Sequence, residues 1–164
     1  MTTSDLNIET LLPVDLADET RVWIYQAESN LTEKEVHLID QALKKFIPAW
    51  QAHGKNLKAD FRILFNRFVC LFVDESAAGT TGCSIDSSVR FIQNLEKNIG
   101  KSLMQRTRVV FIDESDKIDE VEMNEMSGRI SGSSLVFNNL VPTLGEMRSK
   151  WLTEARNSWH SRML

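Results

Sequence analysis

Few side chains in this sequence can do covalent or acid–base chemistry. There are two cysteines, Cys70 and Cys83, and three histidines, His37, His53 and His160. Cys83 stands in the stretch Gly79 to Asp86, Gly-Thr-Thr-Gly-Cys-Ser-Ile-Asp, which follows the apolar run Phe68 to Val73. Behind it Ile85, Val89, Ile92, Leu95 and Ile99 repeat at helical spacing. A strand, a flexible loop and a helix start leave backbone N–H groups unpaired, and such groups attract thiolates and anions. One chemistry this suits is acyl or amide hydrolysis or transfer, with Cys83 as nucleophile. His53 or His160 would be its base, Asp86 the orienter, and loop N–H groups the oxyanion donors. The other is binding without reaction, the site formed by Gly82 and Ser84 of the loop with Asn138, Asn139, His53 and the terminal Trp159-His160. A plainer reading stands beside both. The loop is then a turn, Ser84 or Asp86 caps the helix, and Cys83 fills space. The binding or interaction module is the leading expectation and the thiol enzyme the alternative.

Several functions are excluded or disfavoured by spacing. A nucleotide-hydrolysing phosphate loop needs Gly-x-x-x-x-Gly-Lys-Ser/Thr, and here Cys83 follows Gly82 with no lysine between Lys58 and Lys97. Two thiols and three scattered histidines lack close ligand spacings, so neither a metal site nor another cofactor is expected. The stretch Asp113 to Glu125 holds seven acids against one lysine but lacks the spacing of a calcium loop. A solvated helix face, with Ile118, Val121 and Met126 as its thin apolar stripe, explains it better. The net charge of −4 argues against nucleic acid or an anionic membrane as main partner. Apolar runs are strand-sized and the first residues, Met-Thr-Thr-Ser-Asp, form no secretory signal. Free thiols in a reducing cytoplasm are therefore the expectation.

These residues must be positioned by a core. Val22 to Tyr25 is apolar at every position, as a strand covered on both faces would be. Leu31-Thr32-Glu33-Lys34-Glu35-Val36 is a complete helix-start signature, and Val36, Ile39, Leu43, Phe46, Ile47 and Trp50 form one stripe behind it. Pro48 should kink or shorten that helix, and His53-Gly54 should end it with a left-handed cap. Leu57 to Ile63 alternates and reads as a strand with one wet face. Asn66-Arg67 turns the chain into Phe68 to Val73, and Arg108 to Ile112 gives a fourth strand. Strand, helix, strand, strand, helix, strand is the ferredoxin-like βαββαβ order: one antiparallel sheet with both helices on one side. The expected organisation is an acidic irregular arm over 1–20, an α+β ferredoxin-like core over 21–113 and a C-terminal helical extension over 114–164. In the extension, Leu135 to Phe137 could add a fifth strand. Thr143 to Glu146 starts a helix that would bury Leu144, Met147, Trp151 and Ala155. An exposed sheet face bearing Trp23, Phe61 or Phe72 could also carry a homodimer.

Five segments carry a resemblance: Val22 to Gln26, His53-Gly54, Gly82 to Asp86, Val136 to Leu140, and Ser158 to His160. From about Arg21 to the end, the chain resembles a family of small bacterial proteins commonly labelled "ABC transporter ATPase". Phe72-Val73-Asp74-Glu75 is similar to the acidic strand end of such ATPases. The resemblance brings no ATP-binding residue with it, because the lysine-bearing loop is missing from this sequence.

Overall fold

The unbroken apolar run Phe68 to Val73 becomes the centre of the fold. In the computed structural model, which describes residues 6–164, it forms strand β5 (Phe68–Asp74). Its side chains alternate between two cores, and residues 68–73 are all fully buried. Strands β1 (Arg21–Gln26) and β4 (Lys58–Leu64) flank it antiparallel, in the order β1-β5-β4. Two amphipathic helices, α1 (Glu33–Ala49) and α2 (Gly82–Ile99), cover one face. They place Ile39, Leu43, Ile92 and Leu95 against Val69, Leu71 and Val73.

The other face is covered by a second sheet. The fourth expected strand, β6 (Arg108–Ile112), does not join β1 to complete a ferredoxin-like sheet. It pairs instead with β7 (Ile118–Glu122) and β8 (Leu135–Phe137), and β9 (Leu152–Glu154) extends the order to β7-β6-β8-β9. Three of the four strands therefore lie in the expected order and the fourth leaves. The reason is burial on both faces of β6. Val110 and Ile112 enter the core with Phe68, Cys70, Phe72 and Trp151, while Val109 and Phe111 pack with Met126, Ile130 and Ala155. The result is a mixed α+β fold: two long helices and one short one, a three-stranded sheet, a four-stranded sheet, a small two-stranded hairpin, and an outer cover of 3-10 turns. Phe72 is thus enclosed by the second sheet, whereas Trp23 and Phe61 lie on the helix-covered face and are only partly buried.

The C-terminal extension is mostly strand and turn. The acidic stretch read as a helix face is a hairpin strand, because Val121 pairs with Val109 and the Glu122 carboxylate meets Arg108 Nε across the ladder at 2.7 Å. Asp113 closes its turn by accepting from the N–H groups of Ser115 and Lys117. Thr143 caps α3 (Leu144–Lys150) as expected, but this helix has only seven residues. Trp151 ends it rather than continuing the stripe, since the next three residues are needed as β9 opposite Leu135 to Phe137.

Turn chemistry explains the remaining differences. Thr32 and Glu35 form the reciprocal cap of α1, and Pro48 falls in its last turn, where the helix ends within one residue. His53-Gly54 is not the helix cap. Both residues have positive φ, 53° and 75°, and form the two-residue turn of a small hairpin, β2 (Gln51–Ala52) with β3 (Lys55–Asn56). Phe65 and Asn66 also have positive φ in the β4–β5 turn. A bulky Phe is strained there, and its ring is held by Phe68, Phe137 and Trp151 at 5.4–6.5 Å between centroids. Of the acidic arm, residues 1–5 lie outside the described residues. The rest packs on the domain, burying Ile8 and Leu12 and supplying the Pro13 and Leu16 carbonyls to Arg148. Among the described residues no helix is long and apolar enough to cross a membrane.

Candidate ligand-binding cleft

The loop before α2 is self-contained. Thr81 and Ser84 cap each other reciprocally, as Ser84 Oγ accepts from Thr81 N at 2.7 Å and Thr81 Oγ1 from Ser84 N at 3.1 Å. The Glu75 carboxylate accepts from both the N–H and hydroxyl of Thr80, and Arg21 lies 3.4 Å from it. An internal carboxylate thus takes a donor that a bound anion would need. Cys83 is exposed in the first turn of α2, and Cys70 is buried in β5, where burial pushes its thiol well above the ordinary range. Among the described residues no hydrogen bond joins Cys83 to His53, His160 or Asp86. His53 is exposed on its hairpin turn and Asp86 is exposed on α2. The four residues of the thiol hypothesis are not assembled into a bonded set, and among the described residues no group of three His, Cys, Asp or Glu could hold a metal ion.

A cleft of about 700 Å³ opens one turn further along α2, where β6 has left the edge of β1. Its walls are β1 itself, Ile85 and Val89 of α2, the segment Met104 to Arg106, the start of β6, and the loop after β8. Trp159 and His160 close one end. The terminal Trp-His pair, Asn139 and the first turns of α2 are therefore brought together, while Gly82, Cys83, Ser84, Asp86, His53 and Asn138 lie outside the lining. Asn138 is a turn residue whose Oδ1 accepts from Leu140 N at 3.2 Å.

The polar floor of the cleft is fixed by a bonded relay. Trp151 Nε1 donates to Asn139 Oδ1 at 2.9 Å, and Asn139 Nδ2 donates to Gln26 Oε1 at 2.9 Å. Gln26 Nε2 then donates to the Arg108 carbonyl at 3.0 Å. This relay crosses between the two sheets and sets the Asn139 amide in one orientation. His160, only 1% exposed, shares a 2.6 Å hydrogen bond through Nδ1 with Ser158 Oγ and stacks on Trp159 at 3.8 Å. Its Nε2 has no partner among the described residues, and burial lowers its pKa from 6.5 to about 4. The ring is neutral at neutral pH. Trp159 Nε1 is buried without a partner among the described residues. A buried donor left unbonded is costly.

Charge is one-sided here. Arg21, Arg106 and Arg108 line the cleft, and among the described residues no carboxylate does. Arg21 is tied to Glu75 and Thr80 and lies over Trp23 at 4.7 Å. Arg108 is tied to Glu120 and Glu122. Arg106 is exposed and has no ion pair among the described residues. Its charge reaches the Tyr25 phenol, whose pKa is raised by burial while the Ser88 hydrogen bond and Arg106 oppose the rise.

Sequence reasoning missed most of this site. Arg106 lies in no motif, Gln26 falls in a resembling segment that assigns it no role, and the cleft exists only because β6 departs from β1. No family model matches the chain, and neither a curated protein nor a solved structure matches it.

Proposed function

We propose that this chain is a non-enzymatic binding module whose site is the cleft between its two sheets. The ligand is an organic anion with an apolar body. The observation that carries this is the lining itself: Trp23, Ile24, Val89, Phe137 and Trp159 with three arginines and, among the described residues, no acid. Apolar walls with a few placed polar groups are the usual make-up of a ligand pocket. Met104 and Met123 give two walls that can adapt to shape. Four of the five segments that resemble the "ABC transporter ATPase"-labelled family contribute to this lining: residues 22–26, 85, 137 with 139 and 140, and 159–160. Membership of that family is part of the proposal and implies no ATP binding.

The test is a titration of the isotope-labelled protein with indole-3-acetate and with octanoate, followed by amide and indole chemical shifts. Shifts centred on Trp159, Asn139 and Val89, weakened about threefold by Arg106→Ala, are expected, since an exposed charge pair contributes up to ~1 kcal/mol. Shifts centred on Gly79 to Cys83 would move the site to the loop and revive the thiol enzyme.

A further inference from the structure

We infer that the natural ligand of this cleft is an extended peptide segment carrying a carboxylate, added as a short strand to the open edge of β1. This rests on the cleft being the ligand site and asks what part of it is built for a backbone. On one side β1 is laddered to β5; on the other the chain itself pairs at both ends. Val22 N donates to the Pro142 carbonyl at 3.1 Å, Leu144 N to the Thr20 carbonyl at 2.8 Å, and Arg21 bridges Thr143 antiparallel. At the far end Gln105 N donates to the Gln26 carbonyl at 3.1 Å.

Residues 20, 22 and 26 thus turn their backbone groups outward, and the period of two places Ile24 outward as well. Its N–H and C=O have no backbone partner on that side among the described residues. The gap from Val22 to Gln26 is about 13 Å at ~3.3 Å per residue, room for roughly three residues of extended chain.

Other outer edges of these sheets are treated differently. On β4 the Phe61 N–H is taken by Asp60 Oδ1 at 2.8 Å and its carbonyl by Arg62 Nη1 at 2.7 Å. On β7 the Glu120 N–H is taken by Asp119 Oδ1 at 2.7 Å. A flanking charged side chain that bonds its own strand's outward group blocks pairing with another chain. Among the described residues the β1 edge has no such block, and its flanking residues, Trp23 and Tyr25, are partly exposed into a walled cleft. Backbone bonds at Ile24 would hold the segment, as in other strand-addition sites. Arg106 would meet its carboxylate, and the apolar walls would take alternate side chains.

The experiment uses three probes on the full chain. The first is a pool of acetylated pentapeptides with a central Glu and mixed Val, Thr and Leu elsewhere. The second is the same pool N-methylated at every residue, and the third is indole-3-acetate. Amide hydrogen exchange and chemical shifts are read together. At about ten times Kd the first pool is expected to slow exchange of the Ile24 amide about tenfold, with the methylated pool leaving it unchanged. Equal protection by the methylated pool would overturn strand addition. So would an unmoved Ile24 with Trp159 and Asn139 shifted by indole-3-acetate, and the cleft would then stand as a small-anion site. No response of any cleft signal to any probe would overturn both readings.

Discussion

Acid should weaken this protein through one residue, His160. Its imidazole is 1% exposed, stacked on Trp159, and among the described residues bonded only through Nδ1 to Ser158. Burial lowers its pKa from 6.5 to about 4. The unfolded chain takes up a proton at this ring as pH falls through about 6.5, while the folded chain does not until about 4. Between these values the unfolded state binds more protons, so stability is complete above the upper value and is lost as pH falls towards the lower. Each pKa unit corresponds to about 1.4 kcal/mol, so the whole span amounts to about 3 kcal/mol, and about 2 kcal/mol disappears between pH ~7 and ~5. Other groups titrate in this range too. The quantity to measure is therefore the difference between wild type and His160→Asn in urea unfolding free energy at about pH 7, 6 and 5. The variant keeps a polar group near Ser158 and lacks the titration. Wild type should lose about 2 kcal/mol more than the variant over this interval. Parallel losses in both proteins would refute the reasoning and mean that the folded ring accepts a proton freely.

Three further outcomes follow from particular contacts. Arg67 is 3% exposed and its guanidinium serves the carbonyls of Ala27 and Glu28 and the Glu120 carboxylate, joining the β4–β5 turn to the second sheet. Arg67→Met should lower the urea unfolding free energy by about 3 kcal/mol, the usual cost of breaking a buried charged network; a change within experimental scatter would contradict that role. A Cβ on Gly145 would lie 2.8 Å from Asp18 Cβ and 3.2 Å from the Asp18 carbonyl. Gly145→Ala should therefore free residues 13–19 to proteolysis without unfolding the core, and an unchanged cleavage pattern would show that the arm yields elsewhere. Iodoacetamide should label Cys83 in the folded protein and Cys70 only after unfolding, because Cys70 is enclosed and its thiol is held protonated. Labelling of both at equal rates by mass spectrometry would be inconsistent with the packing of β5.

Much of the first layer was legible in the sequence because its signals are local. The all-apolar runs of β1 and β5, the alternation of β4 and the Thr32–Glu35 cap each record burial or capping within a few residues. The second sheet was not legible. The spacing of Ile118, Val121 and Met126 suits a helix as well as a strand, and only the partner strand settles it through Val109 and Arg108. Trp151 and Ala155 likewise fit a helical stripe until β8 requires β9 as its neighbour. The pairing of β6 depends on residues up to 46 positions away, at Glu154 through β8, which no local pattern contains. The site shows the same division. Trp159, His160 and Asn139 stood out as unusual residue types and do line the cleft. Arg106, the bonded role of Gln26 and the open backbone edge at Ile24 become visible only once β6 leaves β1.

The most direct measurement is isothermal titration of indole-3-acetate into Val89→Trp and Cys83→Ser beside wild type. Val89 lines the cleft and Cys83 does not, although both lie in the first half of α2. Loss of binding in Val89→Trp with unchanged affinity in Cys83→Ser is the expected result. The reverse pattern would place the site at the Gly79 to Asp86 loop and contradict the cleft.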